Sequence, residues 1–297
     1  MVDRGAATRP NAAGTAEDVR LAIETRGPSG APVLVLLHGT RRTRGMWRHQ
    51  LSGLSDAFRV VAVDMPGHGA LADVPFRLSD ATDLVSAVID IAGGGRAIVV
   101  GQSLGGYVGM DLAARRPDQV AGLVLANATG EPRSIARRAP RTVGTYLLVA
   151  ASERVRIPGV HGSPGPGSDG DGRAESPAGG VAAAGEGASG DEPAGPATSG
   201  WLFKGGGRAL VSALREVFKP RLAAYPGPTL IVNGEQDALF RYSEHAFLAA
   251  AVDGRLVVIP GCGHEVNEDR PDAFNAVVRD FAHQVHRGAS GAGPPGA

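Results

Sequence analysis

The stretch Gly101-Gln102-Ser103-Leu104-Gly105, followed at once by Gly106, leaves the backbone around it few options. Ahead of it runs Ala97-Ile98-Val99-Val100, an apolar, β-branched segment that reads as a buried strand. Behind it, Tyr107 to Arg116 reads as a helix stopped before Pro117. A serine flanked at two residues on either side by glycine, on a turn from strand to helix, is the pattern of a nucleophile elbow. The reason is steric: the sharp turn brings neighbouring chain close, and glycine removes the side chains that would collide. Two other readings fit the pentapeptide alone. One is a glycine-rich loop with an incidental serine; the other is a dinucleotide-binding loop, which would want glycine where Ser103 stands.

The flanking chain decides between them. Val19, Leu21 and Ile23 alternate with polar residues and predict a half-buried strand. Apolar runs at Pro32–Leu37, Arg59–Asp64, Val120–Ala126, Pro228–Asn233 and Arg255–Ile259 predict further strands, several buried on both faces. Helices are predicted between them: Trp47–Leu54, a helix capped by Ser79 and running to about Ile91, Tyr242–Ala251, and one opened by Pro271 and reaching His283. Leu210, Leu214, Val217 and Phe218 recur at helical spacing within Trp201–Phe218. The alternation predicts an α/β fold, a mostly parallel sheet with helices on both faces. Ligands bind such sheets at the carboxyl ends of the strands. His38-Gly39, Pro66–Gly69, Ser103, Asp237 and His264 all follow predicted strands, so they can converge on one edge.

A serine hydroxyl needs a base within reach, and a carboxylate to hold that base in one tautomer. Ser103, Asp237 and His264 occur in that order, each after a strand. Among eight histidines, His49, His245, His283 and His286 fall on predicted helices, His161 in a low-complexity segment, and His38 and His68 before Ser103, where they read as structural. His264 alone lies in the loop directly after the last strand. For the acid, Glu235 is the near rival of Asp237; Asp253 reads as a turn residue and Asp64 as a residue that packs its loop. The developing oxyanion needs donors: the Leu104 amide at the helix start and the Thr40 amide in the loop after Pro32–Leu37. The Thr40 hydroxyl either adds a further donor or caps its loop. Cys262, two residues from His264, reads as a small buried hydrophobe. No spacing of His, Cys or carboxylate suggests a metal, and no cofactor is implied.

This set in this order resembles the α/β-hydrolase superfamily, in its serine-nucleophile, capped esterase and haloperoxidase-like branch. The likeness covers roughly 19–129 and 228–283, through His38-Gly39, Asp64-Met65-Pro66-Gly67-His68-Gly69, the elbow, Asp237 and Gly263-His264. It implies Ser103 as nucleophile, His264 as base, Asp237 as orienting acid, and the Thr40 and Leu104 amides as oxyanion hole. Ser103 argues against the relatives with aspartate at the elbow. The resemblance also implies a helical cap between Val120–Ala126 and Pro228–Asn233, yet here that region is interrupted by 158–200, almost entirely Gly, Pro, Ala, Ser and acidic residues. Such a segment buries too little apolar surface to offset its ordering entropy and is expected to be disordered.

The expected layout is therefore a disordered tail over 1–18, a core of 19–130 and 226–286, a cap region 131–225 containing 158–200, and a disordered tail over 287–297. Formal net charge is zero, which suggests no nucleic-acid partner. One cysteine in 297 residues allows no internal disulfide and fits a reducing compartment. No apolar run approaches a membrane span and no secretory signal is evident, so a cytoplasmic location is expected. The expected activity is hydrolysis of a small carboxylic ester or related acyl substrate without a cofactor. Carbon–carbon bond cleavage by the same triad is the alternative, and a non-catalytic ligand-binding protein the alternative from another class. The oligomeric state stays open.

Overall fold

The computed structural model describes residues 16–134 and 206–291. Seven strands form one sheet: β1 (Ile23–Arg26), β2 (Val33–Leu37), β3 (Arg59–Val63), β4 (Ala97–Gln102), β5 (Val120–Ala126), β6 (Pro228–Gly234) and β7 (Asp253–Ile259). Their order is β1-β3-β2-β4-β5-β6-β7. β1 runs antiparallel to β3, and every other pairing is parallel.

Parallel strands need crossovers, and the crossovers cover both faces of the sheet. On one face Val35, Leu37, Val61, Val99, Leu123 and Ile231 join residues of α3 (Leu78–Ala92) and α4 (Leu104–Arg115), such as Val85 and Val108. On the other, Leu34, Leu36, Val60, Val100, Val124 and Val232 join Leu51 of α2 (Arg48–Gly53) and Phe274 and Val278 of the C-terminal helix (Pro271–Gly291). Successive residues of one strand feed opposite layers, which is why the central strands read as unbroken apolar runs.

Several boundaries differ from the sequence expectation. Val19 and Leu21 lie in a helix, α1 (Ala16–Leu21), and the first strand starts only at Ile23. Two residues of spacing puts side chains on opposite sides of a helix; accordingly Val19 is buried while Leu21 is 63% exposed. Three alternating positions are too few to separate the two periods. Ser79 is no cap: α3 starts at Leu78, with Arg77 in the cap position and no side-chain cap bond. Burial of Leu78 sets that boundary, and the Ser79 hydroxyl turns to Asp80 (3.0 Å).

Helical spacing through Phe218 also breaks. α5 (Gly206–Leu214) is followed by a separate α6 (Lys219–Ala224), started by a proline in its first turn, which is Pro220. Phe218 is buried between them, while Val217 is 49% exposed. The helix expected over Tyr242–Ala251 is shortened to α8 (Glu244–Leu248), and a separate short helix, α7 (Ala238–Arg241), precedes it. Asp253 lies within β7, paired with Pro228, rather than in a turn. The last helix runs beyond His283 and Arg287 to Gly291, into the region expected to be a frayed tail, although its packed residues end at Phe281, Ala282 and Val285. Trp201 and the segment 158–200 lie outside the described residues.

Candidate active site

β4 ends at Gln102 and α4 begins at Leu104, so Ser103 alone makes the turn. Its backbone sits at φ 50°, ψ −110°, a region disfavoured for any residue with a side chain. The flanking glycines make this approach possible. A Cβ on Gly101 would overlap the Gly105 carbonyl, and one on Gly105 would overlap the carbonyl of Leu37 on β2. Neither collision can be relieved by a rotamer change. Ser103 is left half-buried at the carboxyl end of the sheet, its amide bonded to the Ala126 carbonyl (2.9 Å).

Asp237 follows β6 and is the N-cap of α7, Oδ1 accepting from the Phe240 amide (3.4 Å). Its other oxygen accepts from His264 Nδ1 (2.7 Å). That bond leaves Nε2 of His264 free to act toward the site. The Phe240 ring packs on the imidazole, with centroids 4.4 Å apart. Asp237 is 5% exposed at its side chain and His264 39%, so the carboxylate is shielded and the imidazole is partly open to solvent. The Ser103 hydroxyl has no hydrogen bond to another described residue.

The rival residues lie elsewhere. Glu235 accepts from the Gly261 amide (3.1 Å), bracing the turn after β7. Asp253 sits at the start of its strand, opposite the end that carries Ser103. Asp64 packs its own loop, accepting from the amides of Arg44 (2.7 Å) and Ala70 (3.0 Å) and pairing with the Arg44 guanidinium. Cys262 is buried, its thiol directed to the Ile259 carbonyl (3.3 Å) and pushed by burial to a higher pKa, away from thiolate character.

The loop after β2 lies beside the serine: a Cβ placed on Gly39 would stand 3.5 Å from Ser103 Cβ. His38 anchors it. Its Nδ1 donates to the Gly39 carbonyl (2.8 Å) and its Nε2 accepts from the Met65 amide (3.0 Å), which fixes one tautomer. Burial, reinforced by the neighbouring His68, holds the His38 pKa well below its ordinary value, so the ring is neutral. Thr40, two residues after His38, and Leu104 across the turn each carry a backbone amide with no acceptor among the described residues. Two open donors beside a serine suit a developing negative charge.

Two residues bonded to this cluster were not singled out by sequence reasoning. Asn127, directly after β5, donates from Nδ2 to Asp237 Oδ2 (2.6 Å) and to the Gly263 carbonyl (3.3 Å). Gln102 donates to the His264 carbonyl (2.9 Å). The signal available for Asn127 was its place immediately after a strand, the same signal that found the other loops.

The profile of the alpha/beta hydrolase family matches residues 34–277, and this chain belongs to that family. It is 42% identical over 107 residues to the pimeloyl-[acyl-carrier protein] methyl ester esterase of Nitrosomonas europaea, a match covering 36% of this chain and 40% of that protein. Thus the chain spans only about two fifths of that relative's length. Against the 2-(acetamidomethylene)succinate hydrolase of Mesorhizobium japonicum it is 29% identical, over 88% of this chain and 92% of that protein. The solved structure of a thermophilic esterase from Thermogutta terrifontis superposes with a TM-score of 0.62 at 22% identity, covering 89% of this chain and 93% of that one. At that identity the likeness bears on the fold. Among the described residues no helix is long and apolar enough to cross a membrane.

Proposed function

We propose that this protein is a cofactor-independent serine hydrolase that cleaves a small carboxylic ester or related acyl substrate through an acyl-enzyme. The observation that carries the reading is the 2.7 Å bond between His264 and the buried Asp237, on the same sheet edge as a serine held at φ 50°. The names of the relatives, an ester esterase and a hydrolase of a succinate derivative, favour the same substrate class.

In this mechanism Ser103 Oγ attacks the acyl carbon while His264 Nε2 takes its proton. Asp237 stabilises the resulting imidazolium, and the Thr40 and Leu104 amides receive the oxyanion. Collapse breaks the bond to the leaving alcohol, which departs with the proton from His264. Water then repeats the cycle on the acyl-enzyme, and His264 returns its proton to Ser103 as the carboxylic acid leaves. The reading requires Ser103 and His264 to meet in the substrate complex, as such bonds commonly tighten on binding. A cytoplasmic location belongs to the same proposal, supported by the single, buried cysteine.

The test is covalent labelling with a fluorophosphonate, followed by peptide mapping and by turnover of chromogenic esters of graded acyl length. Modification of Ser103 together with ester turnover is the expected result. Intact, unlabelled protein that binds such esters without turnover would favour the ligand-binding alternative.

A further inference from the structure

The base follows an edge strand of the described sheet. β7 is an edge strand with a single neighbour, β6, and its residues from Asp253 to Val258 are exposed or half-buried. An edge strand alone is a poor ruler for a group that must be placed within a fraction of an ångström. Two buried amides reach the His264 loop from the interior of the sheet. Gln102, last residue of β4 and 2% exposed, holds the His264 carbonyl. Asn127, 0% exposed, holds the carbonyl of Gly263 and the very oxygen of Asp237 that accepts from His264.

We infer that Asn127 and Gln102 are positioning residues for the acid–base pair: a clamp from the central strands that fixes Asp237 and His264 relative to Ser103. This inference rests on the triad reading above. Asn127 is built for the task. Its backbone is held at φ 46° by a bond from its amide to the Val232 carbonyl (2.9 Å), and asparagine is among the few residues that tolerate that conformation. Two acceptors converge on Nδ2, so the orientation of its amide is settled, while Oδ1 is buried with no partner among the described residues. Leaving an acceptor unpaired is costly, which argues that the site is shaped for the donor end of this side chain.

The test uses the second-order rate of fluorophosphonate labelling at Ser103 between about pH 5 and 9.5, which needs no knowledge of the natural substrate. Wild type should rise through one ionisation and then level off. In Asn127→Asp the new carboxylic acid can replace the amide as donor to Asp237 while it is protonated. Once ionised it repels Asp237 across a gap of one hydrogen bond, so the profile should turn bell-shaped, with a falling alkaline limb. Among the described residues, Asp237 acts on the Tyr107 hydroxyl, which burial pushes above its ordinary pKa, and on the Arg241 guanidinium. Neither titrates in that range.

Asn127→Gly accepts the positive φ and removes the donor; it should lower the labelling rate roughly 10- to 100-fold at every pH. With p-nitrophenyl acetate the loss should fall on kcat and leave KM unchanged. Gln102→Met, close in size but without a donor, should slow labelling at least about tenfold and keeps the test open if the Asn127 variants do not fold. Folded variants that label at the wild-type rate with the wild-type pH profile would overturn the clamp alone. Wild-type protein that never labels at Ser103 would remove the triad reading instead, and the clamp with it.

Discussion

Replacing Asp237 with asparagine tests the acid through its surroundings. The variant amide has two orientations. With its NH2 at the position of Oδ2 it would face the Asn127 amide, donor against donor, across what is now a 2.6 Å bond. With its carbonyl there, it satisfies both Asn127 and His264 Nδ1–H, and its NH2 meets only the long contact with the Phe240 amide (3.4 Å). The second orientation should win, so the imidazole keeps its tautomer and only the negative charge is lost. At roughly 4 Å between charge centres and an effective dielectric near 20, that charge is worth about 4 kcal/mol to the imidazolium. Because the His264 side chain is 39% exposed, solvent screening reduces this to about 3 kcal/mol. The expected loss is therefore about 10²- to 10³-fold in the rate of Ser103 labelling or in kcat/KM for p-nitrophenyl acetate, with thermal melting confirming the fold. A loss below about tenfold would remove Asp237 as the acid. One beyond about 10⁴-fold would indicate the tautomer-inverting orientation and refute the argument from Asn127.

Ser103→Ala should abolish labelling and reduce ester turnover by several orders of magnitude in a protein that melts normally; retention of a tenth of wild-type kcat would exclude it as nucleophile. Gly105→Ala should destabilise by at least about 2 kcal/mol in a denaturant titration, since the added methyl strikes the Leu37 backbone rather than a movable side chain; an unchanged midpoint would contradict the packing of α4 on β2. Cys262→Ser should leave kcat within roughly tenfold, because the thiol lies in the core and points to the Ile259 carbonyl. His38, buried and held neutral, has a pKa below that of the unfolded chain, so its contribution to stability is complete above about pH 6.5 and declines as pH falls further, by up to about 1.4 kcal/mol per pH unit. Chemical denaturation from pH 7.5 to 5 should reveal that slope, and His38→Asn should flatten it.

The central strands were legible because burial on both faces writes an unbroken apolar run, as in Leu34–Leu37 and Val120–Ala126. The elbow was legible because only glycine fits its two crowded positions. Local capping rules failed where tertiary contact sets the boundary. Ser79 lost its place to the buried Leu78, and the helix expected from Tyr242 begins only after Ser243, whose hydroxyl bonds Thr129 (2.9 Å). The C-terminal helix outran its expected end: it continues to Gly291 past its last packed residues, Phe281 to Val285, through a Gly/Ala-rich stretch that composition reads as tail. Asn127 and Gln102 escaped notice for a related reason: their roles depend on partners more than 100 residues away, which no local pattern encodes.

β5 and β6 are hydrogen-bonded neighbours, yet residues 127–227 separate them along the chain. One side of that gap contributes Ser103, Leu104 and Thr40; the other contributes Asp237 and His264. Cut between those strands, the polypeptide becomes two pieces, one holding the proposed nucleophile and oxyanion donors, the other the proposed acid and base. On the proposed mechanism, neither piece alone activates a serine. Reactivity toward a fluorophosphonate thereby becomes a reporter of fragment reassembly, since it returns only when β6 docks along β5 in register, Leu123 against Thr229 and Ala126 against Val232.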